Sequence, residues 1–219
     1  MAMDTDVLID GLATGLEPVR RLRPPWVRAT RWLACGIPPL LIVALFDGIA
    51  IELSILAANP RMAVELAAIV ATAAAAAMCA FAATIPGASR GWFLLPMIPL
   101  AVWLASVGEA CAADWIRLGL AGLRLRFDGS CFLPMVMMSL IPIVTMLTML
   151  RRGAPLIPRA TLLLGTLAIA ALTNLGLRLI HIPDVSFMAL IWSFAVVALL
   201  SAVAMGRGRR LLGWRAMSP

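Results

Sequence analysis

The sequence predicts an all-α fold, a polytopic membrane bundle of six transmembrane helices with both termini cytoplasmic. Three observations predict it. The first is composition: of 219 residues, 63% are hydrophobic and 13% charged, with a mean hydropathy of +1.00, whereas about a quarter of an average soluble domain is charged. The second is a set of six long apolar runs, and the third is the placement of arginine around them. At roughly 20 apolar residues per spanning helix, the chain has room for about six spans and little left for a separate globular core.

The runs lie near 32–51, with Pro38-Pro39 close to its beginning; 62–85, dominated by alanine over 73–77; and 92–111, with Pro96 and Pro99. Three more follow near 131–150, with Pro134 and Pro142, then 160–182 and 186–205. Runs of this length are too long for strands, and a helix satisfies its backbone groups internally where hydrocarbon offers no partner. Prolines inside such helices are tolerated or act as hinges. Pro38-Pro39 is the most suggestive hinge, because a kink there would sit just below the N-terminal segment.

Orientation follows from charge. All 18 basic residues are arginine, and the net charge is +7. With a cytoplasmic N-terminus, thirteen arginines fall inside: Arg20, Arg21, Arg23, Arg28, Arg31, Arg90, Arg151, Arg152, Arg159, Arg207, Arg209, Arg210 and Arg215. Five fall outside: Arg61, Arg117, Arg124, Arg126 and Arg178. The positive-inside rule therefore favours both termini in the cytoplasm. The chain divides into a cytoplasmic tail (1–29), a six-helix transmembrane domain (30–206) and a basic cytoplasmic C-terminal tail (207–219). The first run follows some thirty residues that begin acidic, so it is expected to stay as an uncleaved anchor. Clustered at span ends, the arginines are explained by topology and by lipid headgroups. No direct nucleic-acid binding is expected.

No nucleophile elbow, phosphate loop, HExxH or CxxC motif is present, so the chain is read as no enzyme, with no cofactor and no defined metal site. Of the four cysteines, Cys35 and Cys79 are expected to be inert packing residues of the first two helices. Cys111 and Cys131 differ, because the topology puts both at the outer surface, at the end of the third helix and the start of the fourth. One reading is a constitutive disulfide, whose loop closure would contribute roughly 3 kcal/mol. The other is a redox or soft-metal sensor, with Glu109, Asp114, Asp128 or His181 available as further ligands. Between these helices, 112–130 reads as the largest outside loop, lying on the membrane surface. Asp47, Glu52, Glu65, Glu109 and Arg178 fall near outer helix ends, where snorkelling or mutual pairing is cheap. None is at the midplane, which counts against an ion pathway. Trp26, Trp32, Trp92, Trp115, Trp192 and Trp214 are expected mostly at interfaces.

The N-terminal tail is the one long segment that fits neither a span nor a short connection. Leu8, Leu12 and Leu16 recur at the spacing of one helical face, among Asp4, Asp6 and Asp10. Gly11 and Gly15 each cost a helix about 1 kcal/mol relative to alanine, and Pro18 discourages helix at Glu17. A helix of about a dozen residues that is marginal alone folds on binding into a partner's groove. An anionic inner leaflet repels its aspartates, so a protein partner is favoured over lipid.

The order of short motifs resembles one family. The leucine-striped start is followed by Leu16-Glu17-Pro18-Val19-Arg20-Arg21-Leu22-Arg23-Pro24-Pro25. After the second run comes Pro86-Gly87-Ala88-Ser89-Arg90 with Trp92, after the third Cys111 with Asp114-Trp115, and after the fourth Arg151-Arg152-Gly153-Ala154-Pro155. Together these look like the NrsF family of six-helix membrane anti-sigma factors, across essentially the whole chain. The resemblance implies an inner-membrane regulator of transcription in the stress response. Its tail would hold an extracytoplasmic-function sigma factor through Leu8, Leu12, Leu16, Val19, Arg20, Arg21 and Arg23. Oxidants or soft metals acting on the thiols of Cys111 and Cys131 are the natural inducing signal. The rival readings are a small transporter or channel and a membrane thiol oxidoreductase. The sequence leaves the oligomeric state open.

Overall fold

Three of the apolar helices start on proline, whose missing N–H is no loss in a first turn that has no intrahelical acceptor. Pro25 opens α2 (Pro25–Asp47), Pro60 opens α3 (Pro60–Ala82) and Pro158 opens α6 (Pro158–Ile180). The carbonyls just before them take the first helical N–H groups: Arg28 N–H donates to Pro24 at 3.2 Å, Met62 to Asn59 at 3.0 Å and Thr161 to Ile157 at 3.0 Å. The structure, a computed structural model, describes residues 5–14, 22–47, 59–87, 90–119, 132–153 and 157–180. In these the chain forms six α-helices and no strand. The remaining three are α1 (Thr5–Thr14), α4 (Met97–Leu118) and α5 (Phe132–Arg151), and a short 3-10 helix (Arg90–Leu94) precedes α4.

Among the described residues, four segments are long and apolar enough to cross a membrane: Pro25–Phe46, Pro60–Ala82, Gly91–Arg117 and Pro158–Ile180. The apolar stretch Val136–Arg151 of α5 is shorter by the same measure. A helix of 23 residues is about 34 Å long, enough for a hydrocarbon core of about 30 Å. The sixth run (186–205) and the C-terminal tail (207–219) lie outside the described residues.

Pairing of small side chains sets the architecture. α3 presents Ala68, Ala73, Ala76, Ala77 and Ala80, and α6 presents Ala168 and Ala171, all buried, while Gly165 of α6 faces Leu150 and Met146 of α5 instead. Small residues let two backbones approach closely, which is how helices associate where lipid is as apolar as leucine. These two helices form the most extensive contact. α2 packs on α3, α5 and α6; α5 packs on α2 and α6; α4 packs on α3. Polar groups inside this core turn back on their own helices: the Thr72, Thr161 and Thr173 hydroxyls donate to carbonyls four residues earlier at 2.7–3.0 Å.

Contacts between helix ends show that successive spans alternate in direction. The start of α2 meets the ends of α3 and α5, the end of α3 meets the 3-10 helix that leads into α4, and the start of α3 meets the middle of α4 and the end of α6. One end of the bundle, the tail end, therefore carries the segment leading from α1; the other is the far end.

Three sequence expectations change here. Pro96 caps α4, accepting from Leu100 N–H at 3.1 Å, while Pro99 and Pro134 fall in first turns, so none of the three is a hinge. Among the described residues only Pro38, Pro39 and Pro142 are interior. The loop expected from 112 begins later, because α4 runs on to Leu118 and stops at Gly119, whose φ of +57° suits a residue without a side chain. Trp32 is 0% exposed, inside the bundle rather than at its surface, whereas Trp26, Trp92 and Trp115 are exposed. Its indole N–H donates to the Pro142 carbonyl at 3.0 Å, a partner that an interface does not need to supply.

Candidate partner-binding tail and the arginine beneath it

α1 is ten residues long, with Asp6 in its first turn and Gly11 inside it. Leu8 and Leu12 lie one turn apart on it, while Leu16, Val19, Arg20 and Arg21 lie outside the described residues. Arg23 is exposed, in the non-helical segment 22–24 that leads into α2. Ile9 and Val7 are exposed on α1. Ile9 sits one residue round the helix from Leu8 and widens the leucine stripe, whereas Asp6 and Asp10 fall on the other side. Thr14 Oγ1 donates to the Asp10 carbonyl at 2.8 Å near the helix end. α1 makes no extensive contact with any other described helix.

One turn into α2, an arginine counted with the cytoplasmic collar turns inward instead. Arg28 is 5% exposed. Its Nη1 donates to Thr84 Oγ1 at 2.8 Å and, more weakly, to the Phe81 carbonyl at 3.5 Å; its Nη2 donates to the Met149 carbonyl at 2.7 Å. The guanidinium carbon lies 4.5 Å from the centroid of the Phe81 ring, a cation–π contact. Met149 is in the last turn of α5, whose carbonyls have no helical donor, and Phe81 is in the last turn of α3. Two helix C-termini, each with partial negative charge, thus converge on one cation. Thr84 Oγ1 donates in turn to the Phe81 carbonyl at 2.7 Å. Gly153 packs against Thr84 so tightly that a Cβ there would come within 2.7 Å of the Thr84 Cβ.

The buried face of α2 continues from Arg28 in steps of four: Trp32, Gly36, Leu40 and Ala44. Gly36 faces Leu172 and the ring of Pro142, and a Cβ would lie 2.6 Å from a Leu172 methyl. Cys35 is exposed among the described residues and so is not the core residue expected. Cys79 is buried as expected, and its Sγ donates to the Trp92 carbonyl at 2.8 Å, joining α3 to the 3-10 helix.

The far end is held by ion pairs. Glu65 Oε1 and Arg178 Nη2 stand 2.6 Å apart with only 10% and 11% of their side chains exposed. The contact is ionic rather than an aligned hydrogen bond, since Glu65 Oε1 makes none. Arg61 Nη2 donates to the Ser106 carbonyl at 2.5 Å, and its Nε lies 3.8 Å from Glu109, tying α3 to α4. Of the charges expected to snorkel or pair with one another, Glu65 and Arg178 pair, and Glu109 is met by Arg61 instead. Cys111 is half-buried on α4 against the core, seven residues before the helix end and therefore about 10 Å from it rather than at its tip. Cys131, Glu52 and His181 lie outside the described residues. Among the described residues, no group of three metal-ligating side chains comes together.

Arg28, Thr84 and Ile9 are the residues that sequence reasoning missed as site components. For Arg28 the signal was available: it continues the step-of-four stripe of Trp32, Gly36 and Leu40, whereas Arg31 does not.

A family model described as NrsF, negative regulator of sigma F, matches residues 12–214. No curated protein and no solved structure matches the chain.

Proposed function

Because the chain belongs to the NrsF family of negative regulators of sigma F, we propose that it is a non-catalytic membrane anti-sigma factor of the bacterial inner membrane, with both termini cytoplasmic. Its tail captures an extracytoplasmic-function sigma factor in a groove that takes Leu8, Leu12 and Leu16, with Val19, Arg20, Arg21 and Arg23 alongside. The family match carries this reading. It is supported by a helix that carries the stripe and lies clear of the bundle. Helix-in-groove recognition needs an apolar stripe of this spacing.

Release is the second half of the proposal. Envelope stress, as an oxidant or a soft metal, acts on Cys111 and Cys131 at the outer face. Oxidation would join the two sulfurs, with two protons and two electrons passing to the oxidant; a soft cation would bridge two thiolates. Either event pulls on α4. Because α4 packs on α3 and not extensively on α5, the strain passes into the bundle through α3.

Two experiments test these halves separately. The chain purified from its native membrane in mild detergent is expected to retain a sigma factor, and the triple change Leu8, Leu12 and Leu16→Asp to lose it. A native chain that retains none would overturn the capture reading. The double change Cys111→Ser and Cys131→Ser should keep the sigma factor bound while abolishing induction of its target promoter by diamide and by cadmium. Undiminished induction by every agent would remove the thiols from the mechanism.

A further inference from the structure

We infer that Arg28 is the positioning residue through which the arrangement of the bundle reaches the tail. This rests on the proposed function, but the observations that carry it are geometric. One planar fork spans two helix ends: Nη1 is on the α3 end, at Thr84 and Phe81, and Nη2 is on the α5 end, at Met149. Both arms are satisfied only while the two ends hold one relative position, because the five guanidinium donors are fixed in a plane. A shift of α3 along α5 takes an acceptor from one arm, and a buried cation short of a partner moves to recover it. Arg28 therefore reads the register of α3 against α5.

What it moves is the root of the tail. Arg28 lies in the first turn of α2, and its own N–H is bonded to the Pro24 carbonyl at 3.2 Å. The segment 22–24 before it is exposed at all three residues, so the placement of that turn fixes where the tail leaves the bundle. The opposite end of α3 is held to α4 by Arg61, which grips Ser106 and Glu109. Glu109 is two residues from Cys111. One rigid helix thus has the thiol-bearing helix tied to its first turn and the tail's root tied to its last. Among the described residues no carboxylate takes part in the Arg28 tie; its acceptors are two carbonyls and a hydroxyl, which depend on position more steeply than a screened ion pair would.

The test uses the full-length chain in native membranes with Arg28→Lys, which keeps the charge but loses the fork, and Thr84→Val, which keeps the shape but loses one acceptor. Both variants are expected to retain the sigma factor as the native chain does and to lose induction by diamide. A structural role alone would cost sigma retention together with induction. A second readout needs no partner. Spin labels at Leu22→Cys and Arg152→Cys, in a chain whose four native cysteines are serine, should give one narrow distance, broadened by either variant. An unchanged distance distribution in both variants would overturn the tie, and a broadened one with full diamide induction would overturn its coupling role. If the native chain retained no sigma factor, the anti-sigma reading and the coupling role would fall together, while the distance measurement would still decide the tie.

Discussion

Replacing Glu65 with alanine is expected to destabilise the bundle by about 3–5 kcal/mol, since it strands the guanidinium of Arg178 in the contact between α3 and α6. The cost comes from the partner left behind. Glu65 and Arg178 are each about nine-tenths covered, so water cannot take over the role of the lost carboxylate. Removing both charges together is a different matter: a leucine at each position gives up the Coulomb term and the desolvation penalty at once, and such exchanges are often neutral or stabilising. Unfolding of the two variants in mixed detergent micelles should therefore rank Glu65→Ala well below the double leucine variant. Equal midpoints for Glu65→Ala and the native chain would show that the pair does not hold α3 to α6.

Gly153→Ala is expected to cost about 1–3 kcal/mol and to disable the arginine tie as well. The added carbon would lie 2.7 Å from Thr84 Cβ and 2.8 Å from Thr84 Oγ1. Thr84 cannot yield cheaply: it is short, buried and β-branched, and its hydroxyl is committed both to Arg28 and to the Phe81 carbonyl. At Gly36 and Gly176 the nearest atoms belong to the far ends of Leu172 and Met138, which can swing away. The same micelle assay measures the loss, and the spin-label distance should broaden as it does for Thr84→Val. Native stability in Gly153→Ala would mean that the contact is slack.

Much of this arrangement was legible from residue order. The apolar runs located five helices, but not the start of the first of them, which opens at Pro25, seven residues before its run. The anti-sigma resemblance followed from the sequence of short motifs, and the family match bears it out. What stayed hidden depended on partners far away in the chain. Arg28 has the same chemistry as Arg23 and Arg31, and nothing in the residue itself says that Met149, 121 positions later, will supply a carbonyl. The end of α4 was misplaced for a different reason. Hydropathy falls at Asp114 and Arg117, yet backbone hydrogen bonding continues until Gly119 ends it, so the apolar span and the helix have different lengths. Cys35 was misread because a thiol's residue type says little about which side of a helix it is on.

The Arg28 tie also has an order in time. Its acceptors are translated after it, Thr84 by 56 residues and Met149 by 121. When α2 is first made neither exists, so the guanidinium has to keep water or another polar partner outside the core. Only after α5 has been made can the same charge be buried with all of its acceptors. Burial of this one residue therefore marks the moment at which α2, α3 and α5 have come together, before any later helix is needed.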